Sequence, residues 1–487
     1  GGAVSMDLNT LTLSDCILSS NSAALGGAVY IGSGGTLVLS GTTVIPSETQ
    51  ASKDNDVYLS AGTSLSVSGT LSASSLVACI TPEAYTAGKQ LLSGDYATDS
   101  NYGKFAVTPD SDGGSWTIDS NGCLQSVSAS SSPVSTLSAA PTSGTYSLST
   151  LAELQRLQTW VNTDGESLSG VTFVMSADID LGGSEWTPIG TSSTDYYFSG
   201  NFDGGGYEFQ NYVPSTSHTY SGIFGVVSAT DSDESVKIAN VSVSGTGSLK
   251  STGGGIVGLA RGSGTVTIDS CVSDVDIAYS GSGTVRFGGI VGYCSASAGT
   301  LVIQNCVNYG SISCSGSGQL YADGIIGRAS GGTTTIINCA NFGAITSSAT
   351  TTCYLAGISA AITTNGKITV SQCVNAGAIS AAAGTPYALA NTDGATSATV
   401  QYSFYLSGCA SSVTNAATTS NCSAFTVSEG QNHIATAVSY GTASYGTDSS
   451  ATVILNAIAA DSTDLLSWEN VSDSSSNFYG CPRLVGL

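Results

Sequence analysis

A chain of 487 residues, 41% of them hydrophobic, is too apolar for a disordered segment and long enough for three ordinary domains or for one repetitive array. Its 34 acidic residues against 11 basic ones give a net charge of −23, which argues against a polyanion partner such as nucleic acid, and no apolar run approaches the ~20 residues of a membrane-spanning helix. Only 9% of residues are charged, Gly numbers 61, and Ser and Thr fill most polar positions; such a mixture suits stacked parallel strands, where hydroxyl rows bond to one another and like-charge rows would repel.

The chain opens at Gly1-Gly2-Ala3-Val4 with no initiator methionine and no signal peptide, and is expected to be a processed or trimmed product. That opening is echoed by Gly26-Gly27-Ala28-Val29-Tyr30 and, later, by Asn55-Asp56-Val57-Tyr58-Leu59, after which Leu65, Val67 and Leu71 alternate. Alternation predicts strands, and the echo predicts a short-period β-solenoid. From about Leu76 the echo fades, and Phe105, Val107, Trp116 and Ile118 are expected to form a small β closure, completing a first domain over 1–127. The run from Asn21 to Tyr30 resembles passenger segments of autotransporter and polymorphic surface proteins. The resemblance implies a β-helical fold and carries no activity.

Residues 128–145, with Ser-Ser-Ser-Pro and Ala-Pro-Thr-Ser-Gly, have linker composition. Next comes the one strong helix signal, near 150–162. Thr150 and Glu153 make a capping box, and Leu151, Leu154, Leu157 and Val161 share a face, so the helix is placed to cover the open end of a solenoid over 146–406. Val171 to Leu181 and Tyr196 to Tyr212 are expected to make its first coils.

A five-fold echo with a period of 33 to 35 residues follows: Gly222-Ile223-Phe224-Gly225, Gly255-Ile256-Val257-Gly258, Gly289-Ile290-Val291-Gly292, Gly324-Ile325-Ile326-Gly327 and the decayed Gly357-Ile358-Ser359-Ala360. Four copies lead through a Thr/Val/Ile-rich run to Cys271, Cys306, Cys339 or Cys373. Alternating β-branched residues make the unit a set of short strands, and the repeat makes it one coil of a β-solenoid, with coils ~4.8 Å apart. After Asn305 the inward parity switches, which marks a corner, and Asn308, Asn341 and Asn375, two residues after their cysteines, should form an Asn ladder. Ile223, Ile256, Ile290, Ile325 and Ile358 should stack as one inward row.

Gly-Ile-Val-Gly followed by Asn-Cys-Val-Asn-Tyr-Gly resembles the GLUG repeat of bacterial surface proteins, which also occurs beside the protease domains of immunoglobulin A metallopeptidases. Glu185-Trp186-Thr187-Pro188-Ile189-Gly190 and Phe198 to Gly206 resemble the segments before those repeats. The match spans roughly 146 to 405. It implies a right-handed parallel β-helix on an exported, extracellular surface protein, so the fold class is all-β with two solenoid segments. Residues 407–487 lose the period and are expected to form the second cap, with a short helix within Val453 to Leu466.

Thirteen cysteines is an odd number, so at least one is free or pairs between chains. The in-register four read as buried thiols, with disulfides between neighbouring coils the alternative. Cys409 with Cys422, and Cys79 with Cys123, flank loop-like stretches and are the disulfide candidates.

Chemistry is sparse. His218 and His433 are isolated, no Cys-x-x-Cys or His-Glu-x-x-His occurs, and neither a metal site nor a cofactor is expected. Asp178 and Asp180 could hold Ca²⁺ or act as acid and base, but their setting favours turn capping, as does that of Asp203. Arg261, Arg286 and Arg328 fall at different offsets in successive repeats and do not obviously converge, so no catalytic residues are assigned. The favoured reading is a non-enzymatic structural or adhesive surface element, self-associating end to end into filaments. A glycan-binding adhesin using Tyr196-Tyr197, Tyr293, Tyr321 and Tyr354 is the alternative, with a host or environmental glycan or surface protein as partner. A polysaccharide lyase or hydrolase is the third reading.

Overall fold

The computed structural model describes residues 2–23, 25–46, 55–71, 76–86, 88–96, 98–108, 116–118, 121–126, 132–191, 194–296, 299–351, 353–360, 366–392, 397–416, 418–428, 431–440, 443–447, 449–459, 465–471 and 481–484. Among these residues the chain is an all-β parallel β-helix, a β-solenoid, with two α-helices, Leu151–Asn162 (α1) and Ala451–Ala459 (α2). It divides into two compact units, Gly1–Ser131 with Ser462–Ser467 and Val485–Leu487, and Ser132–Asp461 with Trp468–Leu484.

In the first unit, Val4–Ser14, Val29–Ser40, Val57–Leu59, Leu65–Ser68, Ala78–Pro82, Leu92–Gly94 and Phe105–Val107 pair in parallel. Exact register stacks Val29 on Val57 on Ile80, and Leu37 on Leu65 on Leu92, all fully buried. Parallel stacking persists past the point where the sequence echo fades: Ala78 pairs with Phe105 and Ile80 with Val107. The closing element is the antiparallel pair Trp116–Ile118 and Leu124–Ser126.

In the second unit each full coil gives one strand to each of three parallel sheets. The first sheet runs from Ser132–Pro133 through Gly144–Leu148, Val171–Met175 and Asn201–Asp203 to the repeat strands Ser235–Ala239, Thr265–Asp269, Thr300–Gln304, Thr333–Ile337 and Lys367–Ser371. The stretch read as a linker, 128–145, thus supplies the first strand of a sheet. Ser132 and Pro133 pair with Tyr146 and Ser147, and Val134 is fully buried, because backbone pairing asks nothing of a Ser/Pro-rich sequence except an edge that tolerates proline.

Between the first and second sheets the chain turns through one left-handed residue per coil. From the repeat coils onward these are Asn240, Ser270, Asn305, Asn338, Gln372 and Tyr402, all with φ between 48° and 57°, whereas the preceding coil turns at Gly205 and Gly206. Asn tolerates this region best among residues with a side chain, and its amide bonds locally. The turn accounts for the parity switch after Asn305.

The third sheet bends at the Gly-Ile corner. A Cβ on Gly289 would lie 2.2 Å from Asn308 Cγ, one on Gly324 2.3 Å from Asn341 Cγ, and one on Gly357 2.3 Å from Asn375 Cγ. Glycine and asparagine therefore share one space: the amide column fits because the facing corner has no side chains.

Helix α1 begins at Thr150, whose Oγ1 accepts from the Glu153 amide at 3.3 Å. Its buried Leu154, Leu157, Trp160 and Val161 join the same core as Val171, Phe173, Trp186 and Ile189. Residues 407–487, expected as a cap, do two things. Ser412–Thr414, Thr418–Ser420 and Ser423–Ser428 add a further parallel coil, and Gln431–Ile434 returns antiparallel along the last of these. Helix α2 follows, its last described residue Ala459, so that the rest of the helix expected within 453–466 lies partly outside the described residues. Trp468–Asn470 then pairs with Pro482–Leu484, and the Trp468 indole donates to Asn338 Oδ1, at the left-handed corner in the middle of the repeats. This part of the tail lies against the flank of the coils. A buried indole N–H needs an acceptor, and the corner amide offers one.

Candidate functional site

Ile223, Ile256, Ile290, Ile325 and Ile358 are fully buried in one core. Their main chains link coil to coil: Ile256 N donates to Ile290 O at 3.1 Å, Ile290 N to Ile325 O at 3.1 Å and Ile325 N to Ile358 O at 3.2 Å. Cys271, Cys306, Cys339 and Cys373 are also fully buried free thiols. Each Sγ donates to the carbonyl two residues back, at 3.1 to 3.3 Å, and lies 3.5 to 3.7 Å from a carbonyl of the preceding coil. Burial pushes the thiols of Cys271, Cys306 and Cys339 well above their usual range, so they are inert packing groups.

Cys409 and Cys422, the candidate disulfide, remain free thiols. Cys409 accepts from Asn375 Nδ2 at 3.3 Å, and Cys422 donates to Ser420 O at 3.3 Å, so each sulfur answers to its own neighbours. Cys79 is buried in the strand Ala78–Pro82, whereas Cys123 Sγ donates to Gln90 Oε1 at 3.4 Å.

The asparagine row is a hydrogen-bonded ladder. Asn308 Nδ2 donates to Asn341 Oδ1 and Asn341 Nδ2 to Asn375 Oδ1, both at 2.8 Å. A second ladder follows the left-handed corner, from Asn338 Nδ2 to Asn305 Oδ1 and from Asn305 Nδ2 to Asp269 Oδ1, both 2.9 Å.

Carboxylates act at turns in the same manner. Asp180 Oδ1 accepts from Asn211 Nδ2 at 2.9 Å and Gly182 N at 2.8 Å, and these bonds hold its pKa below the usual carboxylate value. Asp178 accepts from the Glu208 amide and Asp203 from Gly205 N and Asn240 Nδ2, all at 2.9 Å. Asp178 and Asp180 are therefore engaged with different groups of the next coil. Within the acidic run at Asp231, Glu234 accepts from Ser169 and Thr230. Among the described residues no group of three or more His, Cys, Asp or Glu could hold a metal ion.

Two of the three arginines, Arg286 and Arg328, converge, contrary to what their differing offsets imply. Arg286 stacks over Tyr293, 4.5 Å from the ring centroid, and Arg328 over Tyr321 at 4.7 Å. In the sheet register Arg286 pairs with Tyr321 and Tyr293 with Arg328, so the four residues form a square on two adjacent coils. Tyr321 also stacks on Tyr354 at 4.8 Å and 13°, and Tyr387 packs against this cluster, which is separate from the main core. Nearby in the same sheet, Arg261 lies over Tyr197 at 5.7 Å and helps line a cleft of about 260 Å³ with Tyr220, Leu259 and Ser295. The sequence signal was present but inverted: Arg286 precedes Tyr293, and Tyr321 precedes Arg328, by the same seven residues across the Gly-Ile corner. Tyr196, by contrast, stands apart at 37% exposure.

No family model and no curated protein matches this sequence. Among solved structures, the crystal structure of a "putative immunoglobulin A1 protease" from Bacteroides ovatus is similar at 20% identity, covering 71% of this chain and 93% of that one, with a TM-score of 0.47. No helix among the described residues is long and apolar enough to cross a membrane. Chemically, the Arg/Tyr square offers guanidinium donors, with the part-exposed rings of Tyr293 and Tyr354 beside them and Tyr321 buried beneath.

Proposed function

We propose that the chain is a non-enzymatic β-solenoid of an exported, extracellular cell-surface protein, serving as a structural and adhesive element. The observation that carries this reading is the use made of the polar side chains: Asp178, Asp180, Asp203 and Asp269, with both asparagine ladders, tie one coil to the next. An acid or base for turnover must be free to exchange protons with a substrate, and each of these carboxylates is already engaged by a donor of an adjacent coil. A surface filament needs the opposite property, a regular stack that resists local opening. The Gly-Ile-x-Gly and Asn-Cys-x-Asn pattern, with its resemblance to the GLUG repeat of bacterial surface proteins, supports the same reading.

Antibody labelling of intact source cells is expected to decorate their surface, and negative-stain images of native material to show head-to-tail stacks formed strand edge to strand edge. Labelling only after lysis, or lone particles at high concentration, would count against export or assembly respectively. Incubation with pectic and related polysaccharides, with and without Ca²⁺, is expected to release no product; release would make the protein a lyase or hydrolase.

A further inference from the structure

We infer that the square of Arg286, Tyr293, Tyr321 and Arg328, extended by Tyr354, binds a glycan through a carboxylate-bearing sugar carried on an otherwise neutral chain. The inference deepens the adhesive part of the proposed function and rests on it. Its starting point is a mismatch of charge. In a chain with 34 acidic residues and 11 basic ones, the guanidiniums of Arg286 and Arg328 form no ion pair among the described residues and lie stacked on tyrosine rings. Their Nε atoms are buried without a hydrogen-bond partner, while the residues as a whole stay part-exposed, so the outer N–H groups are the ones a ligand can reach. Asp323, two residues beyond Tyr321, points its Oδ1 at the Ala356 amide at 2.6 Å.

A guanidinium stacked on a ring keeps all its N–H bonds in its own plane, directed past the ring edge. That fork matches the two oxygens of a carboxylate. Tyr321 is buried between Arg328 and Tyr354 and serves as their platform, so the ring left for a sugar is that of part-exposed Tyr354, apolar on its free face and hydroxylated at its rim, which suits a sugar better than a wholly apolar ligand. Because the protein as a whole is strongly negative, a densely charged polyanion is repelled. Isolated carboxylates on a neutral chain are not.

A peptide is the poorer occupant. The strands carrying the square, Val285–Gly288, Val291–Ala296, Leu320–Asp323 and Ile326–Ala329, are paired on both sides, so no main-chain edge is open for strand addition and recognition falls to side chains.

The test is titration calorimetry of the whole chain with 3′-sialyllactose, with a glucuronic acid-terminated trisaccharide, and with lactose as the neutral control. At least one acidic sugar is expected to bind with a Kd of about 0.1 to 1 mM, and lactose about tenfold more weakly or not at all. Arg286→Gln and Arg328→Gln should each weaken the acidic sugar about tenfold, and Tyr354→Ser about threefold, while circular dichroism and melting stay those of the parent protein. Equal binding of acidic sugar and lactose, binding of neither acid, or arginine-dependent binding of a poly-glutamate peptide in place of the sugars would overturn the inference. None of those results touches surface display or the absence of turnover, which are measured separately.

Discussion

Between Val171 and Val227 the core of the second unit is filled by phenylalanines: Phe198 lies 6.2 Å from Phe173 and 5.1 Å from Phe224, and Phe202 lies 6.0 Å from Phe209 and 5.1 Å from Phe224. Between Gly255 and Ile379 the same space holds columns of Ile, Val and Cys, with Tyr279 and Phe287 as one aromatic pair. The polar joints differ too. Asp180 and Asp203 in the early coils each receive one asparagine, Asn211 and Asn240, and the chain of bonds stops there, whereas Asn308, Asn341 and Asn375 continue for coil after coil. A carboxylate only accepts, so two cannot stack; an amide donates and accepts, so any number can. Rings from inequivalent positions interlock without needing a period, and ladders need one. This is why one half of the solenoid reads as a repeat and the other does not.

The contrast can be broken most directly in the core. Phe202→Ala should cost about 3–5 kcal/mol, because several rings lose contact with one that cannot be replaced by collapse of a single column, while Ile290→Val in the ladder coils should cost about 0.5–1.5 kcal/mol. Urea unfolding followed by tryptophan emission measures both, and equal losses would remove the distinction. Smaller losses are expected at the joints. Asn341→Ala interrupts the ladder at its centre and leaves one buried N–H of Asn308 and the buried Oδ1 of Asn375 unanswered, while their bonds to Gly310 O and Gly377 O remain, costing about 2–3 kcal/mol. Gly324→Ala places a Cβ 2.1 Å from Gly357 O and 2.3 Å from Asn341 Cγ, and should cost about 1–3 kcal/mol by forcing both the neighbouring main chain and the same amide aside. In an Asn341→Ala background the Gly324→Ala loss should shrink but persist, since Gly357 O and the Cβ of residue 341, 2.5 Å away, stay in place; strictly additive losses would separate glycine from ladder.

The smallest effect is on pH dependence. Burial, reinforced by Cys353, pushes the Cys314 thiol up to about 12. A folded-state pKa raised above the unfolded value of about 8.5 gives stability that is complete below that pH and declines as the pH rises towards 12. The melting temperature should therefore fall above about pH 9, and fall less steeply in Cys314→Ala. An unchanged slope in the variant would show that this thiol does not titrate with unfolding.

The inward rows at Ile256, Ile290 and Ile325, the corner at Asn305 and the cap at Thr150 were legible because each depends on a residue type recurring at a fixed distance, or on its immediate neighbours. The strand at Ser132–Pro133, the extra coil after Leu406 and the tail at Trp468 were not, since main-chain pairing binds a strand edge whatever its side chains are. The Arg/Tyr square escaped for a related reason. Arg286 and Arg328 occupy different places in their own repeats and meet only because the Gly-Ile corner folds one strand segment beside the next.

By itself the sequence determined that coils form, where they turn and which side chains face inward, since alternation, β-branching and the need for φ above zero act over a few residues. The tertiary structure alone decided how far the stack extends beyond the visible period, which neighbours each sulfur meets, and that two arginines and two tyrosines from neighbouring coils share one face. Those outcomes depend on which strand lies beside which, a relation that coil stacking creates and no local pattern encodes.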